Sequence, residues 1–191
     1  FLPDKAADPL DVVYLFDGDD WTAEVASIVS RLARDGAISA PLVVGIGYGD
    51  RPNHRARDYT PPGPGIPDGH GEVEAFFDFM QSDLVPWVDS EYSTVAEPAG
   101  RVLLGHSFGG IAALWGLFEA EQTFGRAVPL SPSLAFGDGA LFDVEVAFAE
   151  GHDDLEARVH LGAGALEAYG LAGLTEAFGA ELKGRRYPGL A

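Results

Sequence analysis

The chain has no cysteine and few basic residues. The absence of cysteine excludes disulfide bonds and thiolate metal sites, and it leaves the compartment open, with a cytoplasmic location favoured. The 12 Lys and Arg residues stand against 30 Asp and Glu residues, so the formal net charge is −18. Because such a protein would repel a phosphate backbone, we expect no nucleic-acid partner.

Long apolar runs are also missing. The chain contains no stretch of about 18 apolar residues, so we expect no membrane span. With 47% hydrophobic residues among 191, it is nevertheless long enough for one domain with a real core. An acidic, Ala- and Gly-rich surface suits high salt, although solubility alone also accounts for it.

A Gly-x-Ser-x-Gly sequence lies between an apolar run and a helical segment. Residues 102–104 read VLL, typical of a buried parallel strand, and residues 111–118 carry apolar side chains at helical spacing. Between them, residues 105–109 read GHSFG, the pattern of a nucleophile elbow. We therefore predict Ser107 as a nucleophile and the Phe108 amide as an oxyanion donor. The alternative is a tight turn that happens to contain serine.

Buried runs alternate with amphipathic segments along the rest of the chain. Strands are predicted at 12–16, 42–46, 126–130 and 158–162, with the start of a last strand at 184–187. Helices are predicted at 21–34, at 72–89 (kinked or ended by Pro86), after the elbow, at 139–150 and around 171–178. This alternation predicts an α/β fold, with a mostly parallel sheet and helices on both faces.

Polar residues follow several of the predicted strands. In parallel sheets, ligands bind beyond the carboxyl ends of the strands, where residues 17–19 (Asp-Gly-Asp) should lie. The amides after Gly18 are candidates for the second oxyanion donor, with Asp19 preferred. Ser131 and Ser133 could line the pocket, but a Ser-Pro-Ser turn needs no function. Glu167 places a carboxylate beyond the fifth strand.

The loop at residues 50–71 concentrates basic side chains in an acidic chain. One interpretation is that its arginines and histidines recognise a carboxylate or phenolate on a substrate. The alternative, favoured for most of them, is that Arg55 and Arg57 pair with Asp58, Asp50 or other acids and only fix the loop. His54 and His70 lack the close spacing of metal ligands, so we predict no metal site.

Several segments together resemble a known family. They are VVYLFDGDDW at 12–21, PLVVGIGYGDR at 41–51, RDYT at 57–60, LVPW at 84–87, LLGHSFGG at 103–110 and LSPSL at 130–134. In this order they resemble the branch of the α/β-hydrolases that includes enterochelin (ferric siderophore) esterases, feruloyl esterases and esterase D. The resemblance implies an α/β-hydrolase fold and a serine esterase acting on a small-molecule ester, without metal or organic cofactor.

The resemblance also implies roles for individual residues. The family's acid carries over to Glu167, whereas Asp153 and Asp154 precede the strand and fit less well. Substrate-binding positions are expected at four residues near the elbow and in the loop, namely Arg57, Tyr59, His106 and Ser131. His106 is expected to be a neighbour of the site rather than its base.

The expected catalytic histidine is missing from these residues. Hydrolases of this type order their residues Ser, acid, His, and no histidine follows His160. The chain is therefore expected to be trimmed at both ends, with the base just beyond Ala191. Three alternatives stay open: His106 or His70 acts as the base, the protein binds ligands without catalysis, or the acyl group passes to an acceptor other than water. The oligomeric state is not indicated.

Overall fold

The computed structural model describes residues 8–168 and 170–191. Its strands are β1 (Val12–Leu15), β2 (Leu42–Gly45), β3 (Arg101–His106), β4 (Arg126–Leu130) and β5 (Arg158–Val159). They form one sheet in the order β2-β1-β3-β4-β5, and every adjacent pair is parallel. The predicted α/β-hydrolase fold is therefore confirmed.

Helices connect the strands. They are α1 (Gly18–Arg34), α2 (Arg55–Asp58), α3 (Val73–Phe79), α4 (Val85–Glu91), α5 (Phe108–Glu119), α6 (Ala140–Gly151) and α7 (Leu171–Arg185). A π-helical turn, Met80–Leu84, joins α3 to α4, and short 3-10 turns lie at Pro98–Gly100 and Phe136–Asp138. Among the helices of the described residues, none has the length and apolar character needed to cross a membrane.

Helices α1 and α5 cover opposite faces of the sheet. Leu103 lies against Gly116 of α5. In the register of the sheet, Leu15 of β1 pairs with Leu104 on one side and with Gly45 on the other. Gly45 lies against Thr22 of α1. Because successive strand residues point to opposite faces, the two helices lie on different sides, as predicted.

The centre of the core lies between β1, α3 and α5. Every residue of α5 from Gly109 to Phe118 is buried, which explains why this helix is apolar all round. The ring of Phe77 packs on Trp115 with centroids 4.9 Å apart and meets Phe124 edge-on at 5.8 Å. This core supports the segments that leave the carboxyl ends of the central strands.

The π turn changes the helical phase between α3 and α4. Before it, Val73, Phe77 and Met80 are buried, and after it the next buried side chains are Val85 and Val88. The five-residue step from Met80 to Val85 adds one residue to the usual spacing of three or four. The sequence predicted one helix kinked or ended by Pro86. The segment is helical as predicted and does not end at Pro86, because α4 continues to Glu91 after the wide turn that directly precedes the proline.

The chain after β5 differs from the prediction. The predicted strand at 184–187 is wrong, because α7 continues to Arg185 and Arg186 ends it in a left-handed conformation with φ 58°. Strand β5 is also shorter than predicted and ends at Val159. The backbone of Ala191 instead pairs beside β5, donating to Ala157 O and accepting from Val159 N, each at 2.9 Å.

Candidate active site

Ser107 forms the turn between β3 and α5. Its φ of 59° and ψ of −115° lie outside the regions that L-residues ordinarily occupy. A Cβ at Gly105 would collide with the Gly109 carbonyl, and one at Gly110 would approach Pro132 to 3.0 Å. The glycines of the elbow are therefore needed for close backbone contacts, and the half-buried Ser107 stands at the carboxyl edge of the sheet.

The segment after β4 holds this turn in place. Ser107 N donates to Leu130 O at 3.0 Å, and Ser133 N donates to Ser107 O at 3.2 Å. The hydroxyls of Ser107 and Ser133 are hydrogen-bonded at 3.0 Å. Neither His70 nor His106 has a recorded hydrogen bond to the Ser107 hydroxyl within the described part of the chain.

Glu167 is joined to the same segment through Ser131. The Ser131 hydroxyl donates to Glu167 Oε1 at 2.7 Å. Ser131 is 4% exposed, so the structure places it against the carboxylate rather than on the open surface expected for a substrate-binding residue. Because Ser131 and Ser133 are two residues apart, their side chains connect Glu167 and Ser107 to one short segment. Both predicted catalytic residues therefore lie at the same edge of the sheet.

The turn after β1 contains the predicted second oxyanion donor. Asp17 adopts a left-handed conformation with φ 53° and precedes the first residue of α1. The Gly18 amide donates to Ile46 O at 2.7 Å, and the Asp20 amide donates to Asp17 O at 3.0 Å. Asp19 lies between them in the first turn of the helix, where amides have no intrahelical acceptor. Phe108 is the first residue of α5, so its amide also lies in a first helical turn.

The Asp19 carboxylate fixes the position of this turn. Its Oδ2 accepts hydrogen bonds from Tyr48 N at 2.6 Å and from Gly49 N at 3.0 Å. A Cβ at Gly47 would collide with the same carboxylate. The loop after β2 therefore binds the Asp19 carboxylate, whereas the Asp19 amide lies in the first turn of α1.

Arg55 in the short helix α2 contacts both turns. Its Nε and Nη2 donate to Asp17 Oδ1 and Oδ2 at 2.8 and 2.9 Å, and Nη2 also reaches His106 O at 3.4 Å. The guanidinium carbon lies 5.4 Å from the centroid of the Phe108 ring. Hydrogen bonding to Asp17 raises the pKa of Arg55 above its ordinary value. This pairing agrees with the interpretation favoured from the sequence, that most of these cations fix the loop.

The other residues predicted to bind substrate from this loop are also engaged. Arg57 Nε donates to Asp58 at 2.6 Å and lies 3.5 Å from a Glu72 oxygen. Tyr59 is fully buried, and its hydroxyl accepts a hydrogen bond from Asp17 N at 3.3 Å. The prediction that Tyr59 contacts substrate is therefore corrected: its ring belongs to the core, and burial raises its pKa. Tyr59 was predicted from the family resemblance, which does not distinguish a residue that supports the site from one that contacts the substrate.

Aromatic side chains flank the elbow on two sides. The His70 ring stacks on Phe136 at 5.5 Å, and both rings meet Phe108 edge-on, at 6.1 and 5.2 Å. On the other side, the exposed His106 ring meets Trp21 at 6.4 Å. No site role was predicted for Phe136 or Trp21, although Trp21 ends the segment VVYLFDGDDW that resembles the family.

A groove lies apart from the elbow. A groove of about 950 Å³ runs between β5 and α7, and Ser107 is not among the residues that line it. Within residues 8–168 and 170–191, no group of three or more His, Asp or Glu side chains could hold a metal ion.

Comparison with known proteins gives the family. The family model described as "Putative esterase" matches residues 1–168. The siderophore triacetylfusarinine C esterase of Aspergillus fumigatus is 30% identical over 148 residues, which cover 74% of this chain and 50% of that protein. The chain spans about half the length of the curated relatives it matches.

Solved structures give the same fold. The BES protein from Bacillus cereus has a TM-score of 0.82 and 23% identity, and the match covers 99% of this chain and 77% of that one. An IroE-like serine hydrolase from Shewanella oneidensis has a TM-score of 0.79 and 26% identity, covering 97% of this chain and 63% of that one. The match over residues 1–168 shows that the chain belongs to the "Putative esterase" family.

Proposed function

We propose that this chain is the core of a serine esterase that hydrolyses a carboxylic ester through an acyl-enzyme. The observation that carries the proposal is the joint placement of Ser107 and Glu167. The strained turn presents the serine hydroxyl at the carboxyl edge of the sheet, and the carboxylate is attached to the same 131–133 segment. Relatives named as siderophore esterases and a similar serine hydrolase support it.

In the proposed mechanism, Ser107 Oγ attacks the ester carbonyl carbon while a histidine accepts its proton. That histidine is supplied from outside these 191 residues, and Glu167 orients it. The negative charge that forms on the carbonyl oxygen is stabilised by the amides of Phe108 and Asp19. The histidine then protonates the leaving alcohol, and water attacks the acyl-enzyme to release the acid and restore Ser107.

We further propose that the ester belongs to a siderophore. The relatives at 30% identity are named for triacetylfusarinine C and ferri-bacillibactin. Both names describe iron-binding small molecules, so the iron would enter as part of the substrate. No metal held by the protein is needed for the acyl transfer itself.

The test uses a longer polypeptide that continues past Ala191 and supplies a histidine after Glu167. It should be labelled by a fluorophosphonate probe at Ser107 and should hydrolyse p-nitrophenyl acetate with burst kinetics. Ser107→Ala should remove both signals, and Glu167→Gln should reduce turnover by about 10³-fold or more while keeping the fold. A well-folded extended protein that binds ferric siderophores but shows no labelling at Ser107 would instead establish a non-catalytic binding protein.

A further inference from the structure

The Ser133 hydroxyl lies against the proposed nucleophile. Its oxygen is 3.0 Å from Ser107 Oγ, which is hydrogen-bond distance. Among the described residues, no other hydrogen-bond partner is recorded for this hydroxyl. Both serines are half-buried, so the pair lies where the site meets solvent. The acyl-enzyme mechanism uses Ser107 and leaves the second hydroxyl without a role.

Backbone contacts on both sides fix the position of Ser133. Its amide donates to Ser107 O at 3.2 Å, and its carbonyl accepts a hydrogen bond from Phe136 N at 2.9 Å. The next residue, Leu134, is 1% exposed and anchors the segment in the core. The hydroxyl is therefore presented to Ser107 from a fixed backbone, and a donor fixed in this way needs little reorganisation during the reaction.

The direction of the hydrogen bond follows from the proposed reaction. A hydroxyl group has one proton to donate and two lone pairs that accept. When Ser107 gives its proton to the base, its oxygen can only accept from Ser133. The Ser107 oxygen also gains negative charge at this moment, and hydrogen bonds to a charged oxygen are shorter and stronger than those to a neutral one. The bond is therefore stronger in the transition state than in the resting protein, which is the condition for an effect on rate.

We propose that Ser133 is a catalytic residue that donates a hydrogen bond to Ser107 Oγ during acyl transfer. This inference rests on the proposed esterase function of the same site. In acylation, Ser107 Oγ forms the bond to the carbonyl carbon while its proton passes to the base. Ser133 keeps its own proton throughout.

The same hydrogen bond acts in the second half of the reaction. Water adds to the acyl-enzyme, and the bond between the carbonyl carbon and Ser107 Oγ then breaks. The electron pair of that bond returns to Ser107 Oγ, which recovers its proton from the base. Because Ser133 stabilises the negative charge on this leaving oxygen, it assists deacylation as well as acylation.

The experiment compares Ser133→Thr with Ser133→Val in the extended protein, using the fluorophosphonate probe. The two side chains have nearly the same shape, and one carries a hydroxyl where the other carries a methyl group. Ser133→Thr should label within about threefold of the unmodified rate, whereas Ser133→Val should label about 10-fold more slowly or less. Ser30→Ala is the control and should keep the rate, because its half-buried hydroxyl donates to Ala26 O within α1.

A second measurement separates the chemical role from a structural one. With p-nitrophenyl acetate, the burst rate constant reports acylation and the steady rate reports deacylation. Ser133→Val should lower both, since Ser107 Oγ attacks in one step and leaves in the other. A variant that is only partly misfolded would instead show a smaller burst amplitude with an unchanged rate constant, and this result would overturn the inference.

The comparison stays decisive if one variant fails. If Ser133→Val does not fold, Ser133→Ala takes its place against Ser133→Thr. Equal labelling rate constants in the variants with and without the hydroxyl would overturn the inference. Failure of the esterase proposal itself would appear differently, as absent labelling at Ser107 in the unmodified extended protein.

Discussion

The buried hydroxyl of Ser131 donates a 2.7 Å hydrogen bond to Glu167, whose own side chain is exposed. Ser131 has φ 43°, and its amide donates to Gly162 O at 2.6 Å. Backbone contacts therefore fix the serine, and the serine in turn restrains the more accessible carboxylate. The hydroxyl of Ser133, on the same segment, is bonded to Ser107.

Removal of the Ser131 hydroxyl should weaken catalysis without unfolding the protein. A hydrogen bond to a charged group contributes about 1.5–3 kcal/mol, so Ser131→Ala in the extended protein should lower kcat by about 10- to 100-fold. Steady-state hydrolysis of p-nitrophenyl acetate measures this. Ser30→Ala is the control, because its hydroxyl donates to Ala26 O within α1. Equal rates in both variants would show that Ser131 does not restrain Glu167.

Two glycine-to-alanine changes should have opposite effects on stability. Gly105→Ala places a Cβ against the Gly109 carbonyl in the elbow, so we expect a loss of about 1–3 kcal/mol or more. Gly173→Ala lies inside α7 with open space around it, and should gain up to about 1 kcal/mol from helix propensity. Urea unfolding of the two variants measures both changes. A stable, fully folded Gly105→Ala protein would contradict the close packing described for the elbow.

Alkaline pH should destabilise the fold through Tyr14. Burial raises the pKa of this fully buried tyrosine above its ordinary value, so the unfolded chain loses the proton first, near pH 10. The free energy of unfolding should therefore fall above about pH 10, by about 1.4 kcal/mol per pH unit for this one group. Urea unfolding between pH 8 and about pH 11 measures the slope, which Tyr14→Phe should reduce by that amount.

The same variant has an expected outcome at neutral pH. Among the residues that the structure describes, none accepts or donates a hydrogen bond at the Tyr14 hydroxyl. Removing a buried, unsatisfied polar group is neutral or stabilising. Tyr14→Phe should therefore be at least as stable as the unmodified protein at pH 7, and a loss above about 1 kcal/mol would indicate an unrecognised partner.

Neither nearby histidine should act as the general base. His106 faces Trp21, and the His70 ring stacks on Phe136. Removing a true general base costs about 10²–10⁴-fold in rate. We therefore expect His70→Ala and His106→Ala to keep the acylation burst of the extended protein within about tenfold. Stopped-flow measurement of p-nitrophenol release decides this, and a burst lost in either variant would assign the base to that residue.

The central strands could be predicted because they are continuous apolar runs between turn residues. Strands β1 to β4 match their predicted positions closely, and the elbow lies where its motif requires. Helix α2 was missed because Arg55–Asp58 has no apolar stripe. The sequence also could not identify Asp17 as the partner of Arg55, because the two residues are 38 positions apart and the chain has 30 acidic side chains. Charge patterns identify candidates for pairing, but only the folded backbone selects among them.

The extra residue in the turn Met80–Leu84 separates two helical phases. Each residue of an α-helix advances by about 100°, so deleting one residue there would rotate all of α4 by that angle relative to α3. The fully buried Val88 would take the place of Trp87, which is 53% exposed, and Asp89 would take the buried place of Val88. The wide turn therefore acts as a spacer that keeps a valine rather than a carboxylate against the core, and the length of this segment is as constrained as its composition.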